Sequence, residues 1–396
     1  ALPIWDSKME HLILARDRIG KKPVYYYYNN TAREIVFASE LKPIMKYPSF
    51  EKNIRDEAIG EFLTNKYICP PNTIFENTYK LEPGSFLVFD KSGIKIEKYW
   101  DIYERFSTLS QRQICDKREA IQYLDKLLND SVAKRLIADV PVGTFLSGGI
   151  DSTLVSAISM RQSNKAIKTF SIGFFDKERN EAQYASEISR YLGTEHTELY
   201  VDDYTVQKLL IDLPVYYDEP FSDSSQLPMM LVSKLAAENV VVALSGDGGD
   251  ELFCGYNMYD LAHIAQKVDW IGSVLYHAPW RDKWIKKLPA EIRAFINNRD
   301  DNYKTQLFSD VVIEPVDKLL LTGKSFCGKQ KVECEGSKEK NWQIRRMLLD
   351  MATYLPDDIL MKADRAAMKY SLEARCPILD ADVIEYSYRI PQKYKR

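Results

Sequence analysis

The sequence predicts an α/β protein built on a doubly wound parallel sheet, with a β-rich domain before the sheet and a mainly helical segment after it. Apolar strands alternate with helical patterns over residues 142–245, as in parallel sheets covered by helices on both faces. Residues 240–244 are almost wholly apolar, as expected of a strand buried inside such a sheet. Two polar, glycine-rich loops directly follow apolar runs, at the strand ends where ligands of these folds bind.

Bulk composition excludes several functional classes. The 396 residues are enough for two or three domains. The formal net charge of −3 gives no basic excess for nucleic acid or an anionic membrane. We see no apolar run that could span a bilayer and no signal peptide. The six cysteines form no CxxC pair and are expected to be cytoplasmic free thiols; a local Cys327–Cys334 bridge is the less favoured alternative.

The first 100 residues are predicted to be β-rich, with a helix near residues 56–64. Asn29-Asn30 and Ser92-Gly93 separate paired apolar runs as hairpin turns do. The tyrosines at 25–28 are expected to alternate between the two faces of a strand, although a stacking platform for a ligand is a second interpretation. The predicted strands are residues 11–16, 24–28, 34–38, 86–89 and 94–96.

Residues 101–118 are polar and irregular in pattern, so the domain boundary is placed there as a linker. The helix expected next, at 118–138, has an apolar stripe for burial: Ile121, Leu124, Leu128, Val132 and Leu136. Further strands are predicted at 142–146, 168–174, 198–201 and 240–244. Further helices are predicted at 153–160, 181–192, 206–213, 227–238, 341–352 and 380–388.

The first glycine-rich loop, Ser147–Ser152, reads Ser-Gly-Gly-Ile-Asp-Ser between a predicted strand and a predicted helix. Glycines allow close backbone approach, and the N–H groups of the loop and helix start form an anion site. Asp151 would repel phosphate unless a divalent cation lay between them, so the loop indicates a nucleotide with Mg²⁺. The alternative is an ordinary strand-to-helix turn. It is not a Walker loop, because no Gly-Lys-Ser/Thr follows.

The second loop, Ser245–Glu251, places three acids and three glycines directly after the apolar strand at 240–244. Carboxylates there could hold Mg²⁺ or act as a base. The alternative is a solvated acidic turn. Two such loops in one α/β unit make a nucleotide site the better interpretation.

The first loop resembles the SGGxDS pyrophosphate loop of enzymes that cleave ATP between its α- and β-phosphates. Residues 14–26, 37–42 and 361–380, with the second loop, resemble glutamine-hydrolysing asparagine synthetases. The resemblance implies that residues 119–396 form an ATP pyrophosphatase (adenine nucleotide α-hydrolase-like) domain. It also implies that residues 1–100 are the later half of an Ntn glutaminase-type domain.

The resemblance further implies ATP and Mg²⁺ as cofactors. Asp151 and Asp250 would hold the metal, Asp247 would be the general base, although glutamate stands there in some members, and Lys362 would be a second catalytic group. The positions implied to contact ATP are Leu146, Ser147, Gly148, Gly149, Asp151, Ser152, Ile172 and Gly246.

Substrate contacts are expected at two further places. Asp364 and Arg365, with Lys362, lie at a predicted helix start, where they could bind substrate or pyrophosphate; a plain capping and salt-bridge cluster is equally open. Ser224 and Ser225 fill the segment where some asparagine synthetases place an arginine for the aspartate side chain.

The expected reaction is ATP-dependent amidation of a carboxylate, favouring aspartate, through an acyl-adenylate with release of AMP and pyrophosphate. Alternatives are another carboxylate, such as a cell-wall precursor or a sugar acid, β-lactam closure, or a catalytically incomplete nucleotide-binding scaffold. The expected partners are small molecules, namely the carboxylate and ammonia or glutamine, and a homodimer is open. The family's N-terminal cysteine nucleophile and its Lys-x-x-Leu-Arg lysine have no match here, so a fragment is expected.

Overall fold

A computed structural model of the chain describes residues 1–175, 180–277, 285–287, 296 and 339–395. Its strands form a four-stranded antiparallel sheet in the order β1-β2-β6-β7, a three-stranded sheet β4-β3-β5, and a five-stranded parallel sheet β10-β9-β8-β11-β12. The strands are β1 Leu2–Asp6, β2 His11–Ala15, β3 Tyr25–Asn29, β4 Glu34–Ala38, β5 Thr78–Lys80, β6 Ser85–Asp90, β7 Gly93–Lys98, β8 Val142–Phe145, β9 Lys168–Phe174, β10 Glu195–Val201, β11 Val242–Leu244 and β12 Glu373–Arg375.

Helices surround the parallel sheet and follow it. The α-helices are α1 Leu41–Ile44, α2 Asp56–Asn65, α3 Ile102–Leu109, α4 Lys117–Leu136, α5 Ile150–Gln162, α6 Ala182–Leu192, α7 Asp203–Tyr217, α8 Gln226–Ala237, α9 Gly249–Phe253, α10 Asn257–Tyr276, α11 Trp342–Ala352, α12 Leu360–Met368 and α13 Ala381–Arg389. A π-helical turn, Leu355–Ile359, leads into α12. Short 3₁₀ turns lie at Ile285–Lys287, Pro377–Leu379 and Gln392–Tyr394.

The predicted doubly wound parallel sheet is confirmed. The side chains of β11 alternate between two core clusters, one on each face of the sheet. Val242 and Leu244 pack with α4 and α5 in one core cluster, whereas Ala243 packs with α8 residues in another. Side chains of successive strand residues point to opposite faces, so a strand buried on both sides is apolar throughout. The polar strand β12, which pairs parallel with β11, was not predicted because its three residues include two charges.

Helix ends follow local capping. Asn341 accepts hydrogen bonds from the backbone N–H groups of Gln343 and Ile344 at the start of α11, and Asp380 caps α13 in the same way. Gly193 closes α6 at φ +73°, a conformation that glycine adopts without steric cost. These are the predicted ends at 341, 380 and 193.

Residues 1–100 contain the predicted hairpins, β3–β4 and β6–β7. The tyrosines of β3 alternate as expected: Tyr25 and Tyr27 enter one core cluster, while Tyr26 and Tyr28 pack into another with Leu14. The interpretation as a ligand-stacking platform is therefore wrong.

The prediction that residues 101–118 are irregular is wrong for residues 102–109, which form α3, and for 117–118, where α4 begins. Asp101 caps α3 by accepting hydrogen bonds from the N–H groups of Tyr103 and Glu104. Ile102 and Phe106 are buried in the same core cluster as Tyr388 of α13, and the Phe106 and Tyr388 rings meet edge to face at 5.4 Å. The polar residues at 104–108 therefore belong to a helix whose apolar face packs on the C-terminal part.

The apolar stripe of α4 is also displaced from its prediction. Ile121 is 58% exposed, whereas Ala120 is buried beside Tyr386. The helix packs a small residue against an aromatic ring there, so the buried face is set by its neighbours on α13. Leu128 and Val132 are buried as predicted.

Four described cysteines, Cys69, Cys115, Cys254 and Cys376, are free thiols; Cys327 and Cys334 lie outside the described residues. Within the described part of the chain, no helix has both the length and the apolar character needed to cross a membrane.

A buried ion pair joins the N-terminal part to the parallel-sheet domain. Lys80 of β5 lies 2.6 Å from Glu219, and their side chains are only 5% and 7% exposed. Glu219 also accepts a hydrogen bond from the Ile74 N–H. The neighbouring Asp218 accepts from the Leu41 N–H at the start of α1 and pairs with Lys42 at 2.8 Å.

We expect Glu219→Ala to lower the free energy of unfolding by about 3–5 kcal/mol, since it leaves the Lys80 ammonium buried without its counter-ion. Denaturant unfolding followed by circular dichroism measures this. Glu97→Ala, which breaks the exposed Lys95–Glu97 pair, is the matched control and should leave the midpoint unchanged. Equal effects of the two variants would contradict this interpretation.

Candidate functional site

The first loop is folded on itself where β8 meets α5. Leu146 is fully buried and its N–H donates to the Phe170 carbonyl. The hydroxyls of Ser147 and Ser152 lie 3.0 Å apart, and Ser152 Oγ also donates to the Gly149 carbonyl. Since Ser147 and Gly149 are exposed, the loop presents its hydroxyl and backbone groups to solvent at the start of a thirteen-residue helix.

Gly148 explains part of the loop sequence. It has φ +88°, and a Cβ there would lie 2.9 Å from Cβ of Tyr184 on α6. Both the backbone conformation and the close approach of the neighbouring helix therefore require glycine.

The second loop touches the first because their strands are neighbours. β11 pairs parallel with β8, Leu244 lying opposite Thr144, so both loops emerge at the same edge of the sheet. A Cβ on Gly246 would lie 2.7 Å from the Ser152 nitrogen and 2.9 Å from the Asp151 carbonyl carbon. The two loops are packed backbone against backbone, which is possible only with glycine at this position.

Three carboxylates converge between the loops. Burial, followed by the charges of Asp250 and Asp247, raises the pKa of Asp151 to about 6. Burial and Asp247 likewise raise the pKa of Asp250. This crowding of negative charge fits a cation. No described residues form a group of three or more His, Cys, Asp or Glu side chains that could hold a metal, but Mg²⁺ typically takes one or two carboxylates together with substrate phosphates.

Asp247 is held in place by its own loop. It accepts a hydrogen bond from Ser245 Oγ at 2.8 Å, and Cys376 Sγ lies 3.9 Å away. Burial raises the pKa of Asp247, opposed by the Ser245 hydrogen bond and the positive charge of Lys362. The positive charge of Lys362 therefore acts on Asp247.

Lys362 lies in the first turn of α12, but the helix does not start free there, because the π-helical turn runs directly into it. Its Nζ donates to Ser225 Oγ at 2.6 Å and to Asp223 Oδ1 at 3.2 Å. The structure thus brings Lys362, Ser225 and Asp247 into one region. Ser224 is exposed, and no contact joins its side chain to this group among the described residues.

Asp364 and Arg365 point to the N-terminal part instead. Lys22 Nζ lies 2.6 Å from Asp364, and Arg365 pairs with Glu40 at 2.9 Å and stacks over the Tyr25 ring. Their charges are therefore already paired, which favours the salt-bridge interpretation, with partners on another domain rather than on the same helix.

Two of the expected ATP contacts are apolar positions. The Leu146 side chain is fully buried, so only its backbone could meet a ligand. Ile172 is half-buried on β9, beyond the Phe145–Phe170 pair where the β8 ladder ends. A side chain at this position lies near the edge of the sheet from which both loops emerge.

Sequence reasoning counted Glu251 among the acids of the second loop without giving it a role of its own, and it missed Asp223 and Asp358. Glu251 is 1% exposed and accepts a hydrogen bond from Tyr256 Oη at 2.7 Å; burial raises its pKa to about 8. Asp223 and Asp358 adjoin Lys362. The Asp-x-Ser pattern at 223–225 is a turn signal that could have identified Asp223, but consecutive acids at 357 and 358 carry no such signal.

These features define the class of protein: an ATP pyrophosphatase-type α/β domain with a pyrophosphate loop. Family models agree with this class. The model for asparagine synthase matches residues 123–396, and that for the glutamine amidotransferase domain matches residues 1–100. The chain belongs to the asparagine synthase family.

Curated relatives match almost the whole chain. It is 33% identical over 383 residues to a putative asparagine synthetase [glutamine-hydrolyzing] 2 of Methanocaldococcus jannaschii, covering 93% of this chain and 72% of the relative. It is 29% identical over 403 residues to asparagine synthetase [glutamine-hydrolyzing] 1 of Bacillus subtilis, covering 100% and 62%. It is 30% identical over 417 residues to a putative asparagine synthetase of Mycobacterium tuberculosis, covering 99% and 61%.

We expect Gly246→Ala to weaken ATP binding at least tenfold, because the added Cβ would force apart the two loops that the backbone contact holds together. Isothermal titration calorimetry with Mg-ATP measures the affinity, and circular dichroism checks folding. Gly193→Asn is the control, since asparagine tolerates the left-handed conformation at a helix end. Unchanged affinity in Gly246→Ala would refute the importance of the loop contact.

Proposed function

We propose that the chain catalyses ATP-dependent amidation of a carboxylate, with aspartate converted to asparagine as the favoured reaction. The observation that carries this proposal is the contact of Gly246 with the backbone at Asp151 and Ser152. That contact joins an anion-binding loop to a second loop rich in carboxylates at one edge of a parallel sheet. Membership in the asparagine synthase family supports it.

ATP would bind across the two loops. The hydroxyls of Ser147 and Ser152 and the N–H groups of Gly148 and Gly149 would hold phosphate oxygens. Asp151 and Asp250 would hold Mg²⁺, whose chemistry is to neutralise charge on the departing pyrophosphate. Gly246, Leu146 and Ile172 would lie against the nucleotide.

The reaction has two steps. A carboxylate oxygen of the substrate attacks the α-phosphorus, and the bond to the bridging oxygen of the β-phosphate breaks, giving acyl-adenylate and pyrophosphate. Ammonia then attacks the acyl carbon, the bond to the AMP oxygen breaks, and the surplus proton goes to a base. Asp247 is the base we favour, because Ser245 orients it and burial raises its pKa towards the useful range.

Lys362 would stabilise the negative charge that develops on the reacting carboxylate and phosphoryl oxygens. Its charge acts on Asp247, and its side chain is only 12% exposed, so that charge is weakly screened. Ser225 would share in substrate binding through its contact with Lys362. Asp364 and Arg365, which contact the N-terminal part, would not touch the substrate. They would hold the synthetase domain against the N-terminal part.

The N-terminal part would supply ammonia from glutamine in the whole protein. We place the domain boundary near residue 100 and assign α3 to the synthetase domain, because its apolar face packs on α13. The serines at 224–225 leave room for other carboxylates, and a cell-wall precursor or sugar acid is the second candidate substrate class.

The decisive experiment supplies Mg-ATP, ammonium and aspartate and quantifies AMP, pyrophosphate and asparagine together. Equal amounts of the three products would support the synthetase and its substrate. Turnover with another carboxylate alone would retain the chemistry and refute aspartate. No turnover with any carboxylate would favour the nucleotide-binding scaffold.

Asp250→Asn should lower Mg²⁺-dependent turnover at least about 100-fold while leaving the fold intact. Losing a residue that merely supports a metal ligand already costs roughly 10–100-fold. Initial rates across a Mg²⁺ titration measure this. Asp139→Asn, at an exposed position after α4, is the isosteric control. Retained turnover in Asp250→Asn would remove Asp250 from the metal site.

Lys362→Met should lower kcat by roughly 100-fold, the scale of losing one preorganised electrostatic donor. The hydrogen-bond partners of Lys362 are Asp223 and Ser225, which lie outside the first loop. ATP affinity should therefore change much less than kcat. Steady-state kinetics separate the two parameters. Lys369→Met, on an exposed residue just after α12, controls for the loss of a positive charge. A change confined to KM would instead make Lys362 a binding residue.

A further inference from the structure

The loop between α7 and α8, residues 218–225, is attached to the N-terminal part at its start. Asp218 pairs with Lys42 at 2.8 Å, and the Asp218 side chain is only 1% exposed. Glu219 pairs with the buried Lys80 at 2.6 Å. Both acids are therefore fixed by positive charges that belong to the N-terminal part, and we call residues 218–225 the interface loop.

The middle of the interface loop also lies on the N-terminal part. The Ser222 N–H donates to the Lys66 carbonyl at the end of α2, at 2.9 Å. The Phe221 side chain packs against the core cluster that contains Tyr25 of β3 and Leu41 of α1. The loop is thus held by backbone and apolar contacts as well as by ion pairs, so its path depends on where the N-terminal part docks.

The end of the same loop holds the ammonium of Lys362. Asp223 Oδ1 accepts a hydrogen bond from Lys362 Nζ at 3.2 Å, and Ser225 Oγ accepts another at 2.6 Å. The Ser225 N–H and hydroxyl both donate to Asp223 Oδ1, at 2.6 and 2.5 Å. Because the hydroxyl proton is directed at the carboxylate, an oxygen lone pair of Ser225 is left for the lysine. Two oxygens of one turn thus fix the position of the ammonium.

Helix α12, which carries Lys362, touches the N-terminal part before and after the lysine. Met361 packs in the core cluster of the N-terminal part, and Asp364 pairs with Lys22 at 2.6 Å. Arg365 pairs with an acid of that part too. The backbone that carries the lysine and the loop that holds its ammonium are therefore both bound to the N-terminal part.

We propose that docking of the N-terminal part positions Lys362 for the synthetase reaction, with Asp223 as the positioning residue at the end of the interface loop. This role rests on the proposed synthetase function, and it is separate from supplying ammonia. A lysine side chain has a long flexible stem, and misplacing a group at a reacting centre by about 1 Å can cost roughly 100-fold in rate. The contacts between the domains therefore contribute to kcat even when ammonium replaces glutamine.

The first test removes one contact at each end of the interface loop and supplies ammonium, so that glutamine hydrolysis plays no part. Asp223→Ala should lower kcat roughly tenfold to 100-fold, and no more than Lys362→Met does, while the KM for ATP stays nearly constant. Asp223→Asn, which keeps an oxygen acceptor for the lysine, should recover part of that loss. Asp218→Ala should lower kcat about tenfold, again without a matching change in KM.

A double-variant comparison separates positioning from general damage to the fold. In the Lys362→Met background, neither Asp223→Ala nor Asp218→Ala should lower kcat further, because the group that these residues position is already absent. A further loss in that background as large as the loss in the unmodified protein would overturn the proposal.

Asp6→Ala is the matched control for Asp218→Ala. Asp6 also accepts hydrogen bonds from two backbone N–H groups, those of Lys8 and Met9, as Asp218 does from residues 41 and 42. These partners of Asp6 lie within the N-terminal part, so kcat should be unchanged, and circular dichroism checks that both variants fold. A loss in Asp6→Ala equal to that in Asp218→Ala would overturn the assignment of the effect to the interface loop.

Limited acetylation followed by mass spectrometry reports on Lys362 without turnover. Its side chain is only 12% exposed and hydrogen-bonded, so it should label slowly relative to the exposed Lys369. Asp223→Ala and Asp218→Ala should each raise the ratio of labelling at Lys362 to labelling at Lys369 several-fold, whereas Asp6→Ala should leave it unchanged. An unchanged ratio in Asp218→Ala would refute the role of the N-terminal part.

Labelling and turnover together distinguish this proposal from the proposed function. If the unmodified protein turns over no carboxylate but the labelling ratios change as expected, the synthetase function is refuted while the N-terminal part still holds the lysine in place. If turnover occurs and the ratios do not change, the function stands and the positioning role is refuted.

Discussion

The parallel pairing of β8 with β11 is the constraint on which the candidate site depends. Both strands end at the same edge of the sheet, so the loops that follow must occupy the same space. Gly246 makes this possible because there is no room for a side chain between the loops. The close backbone contact also crowds Asp151, Asp247 and Asp250. Burial first, and then this crowding, raises the pKa values of Asp151 and Asp250, the metal-binding candidates. The pairing of β8 with β11, the glycine at 246 and the crowded carboxylates therefore depend on one another.

Local pattern was enough to predict the sheet and the two loops. Apolar strands, glycine turns and capping residues act over a few positions, so the elements at β3, β4, β8, β9 and α11 were found with little error. The failures involve distant partners. Helix α3 was missed because its burial is supplied by α13, about 280 residues later. Strand β12 was missed because only its pairing with β11 makes a strand of three residues of which two are charged.

The candidate site shows the same division. Residues whose role comes from their own loop, such as Ser147 and Asp250, could be proposed from spacing. The position of Arg365 could not be predicted from its own segment. Its guanidinium pairs with Glu40 and stacks over the Tyr25 ring, and both partners lie in another domain. Asp358 was missed for a related reason. It is buried, and nothing in the sequence around it indicates that the charges of Asp223 and Lys362 act on it.

A single short segment connects the domain interface to the lysine. Asp218 and Glu219 hold α1 and Lys80 of the N-terminal part. Asp223, which holds Lys362, follows Glu219 by only four positions. At about 3.3 Å per residue such a segment spans little more than 13 Å, and both of its ends are fixed by charged contacts. Any displacement of the N-terminal part relative to the sheet must therefore be taken up within this segment or passed to Lys362. The buried interface and the candidate active site are, for this reason, one connected structure.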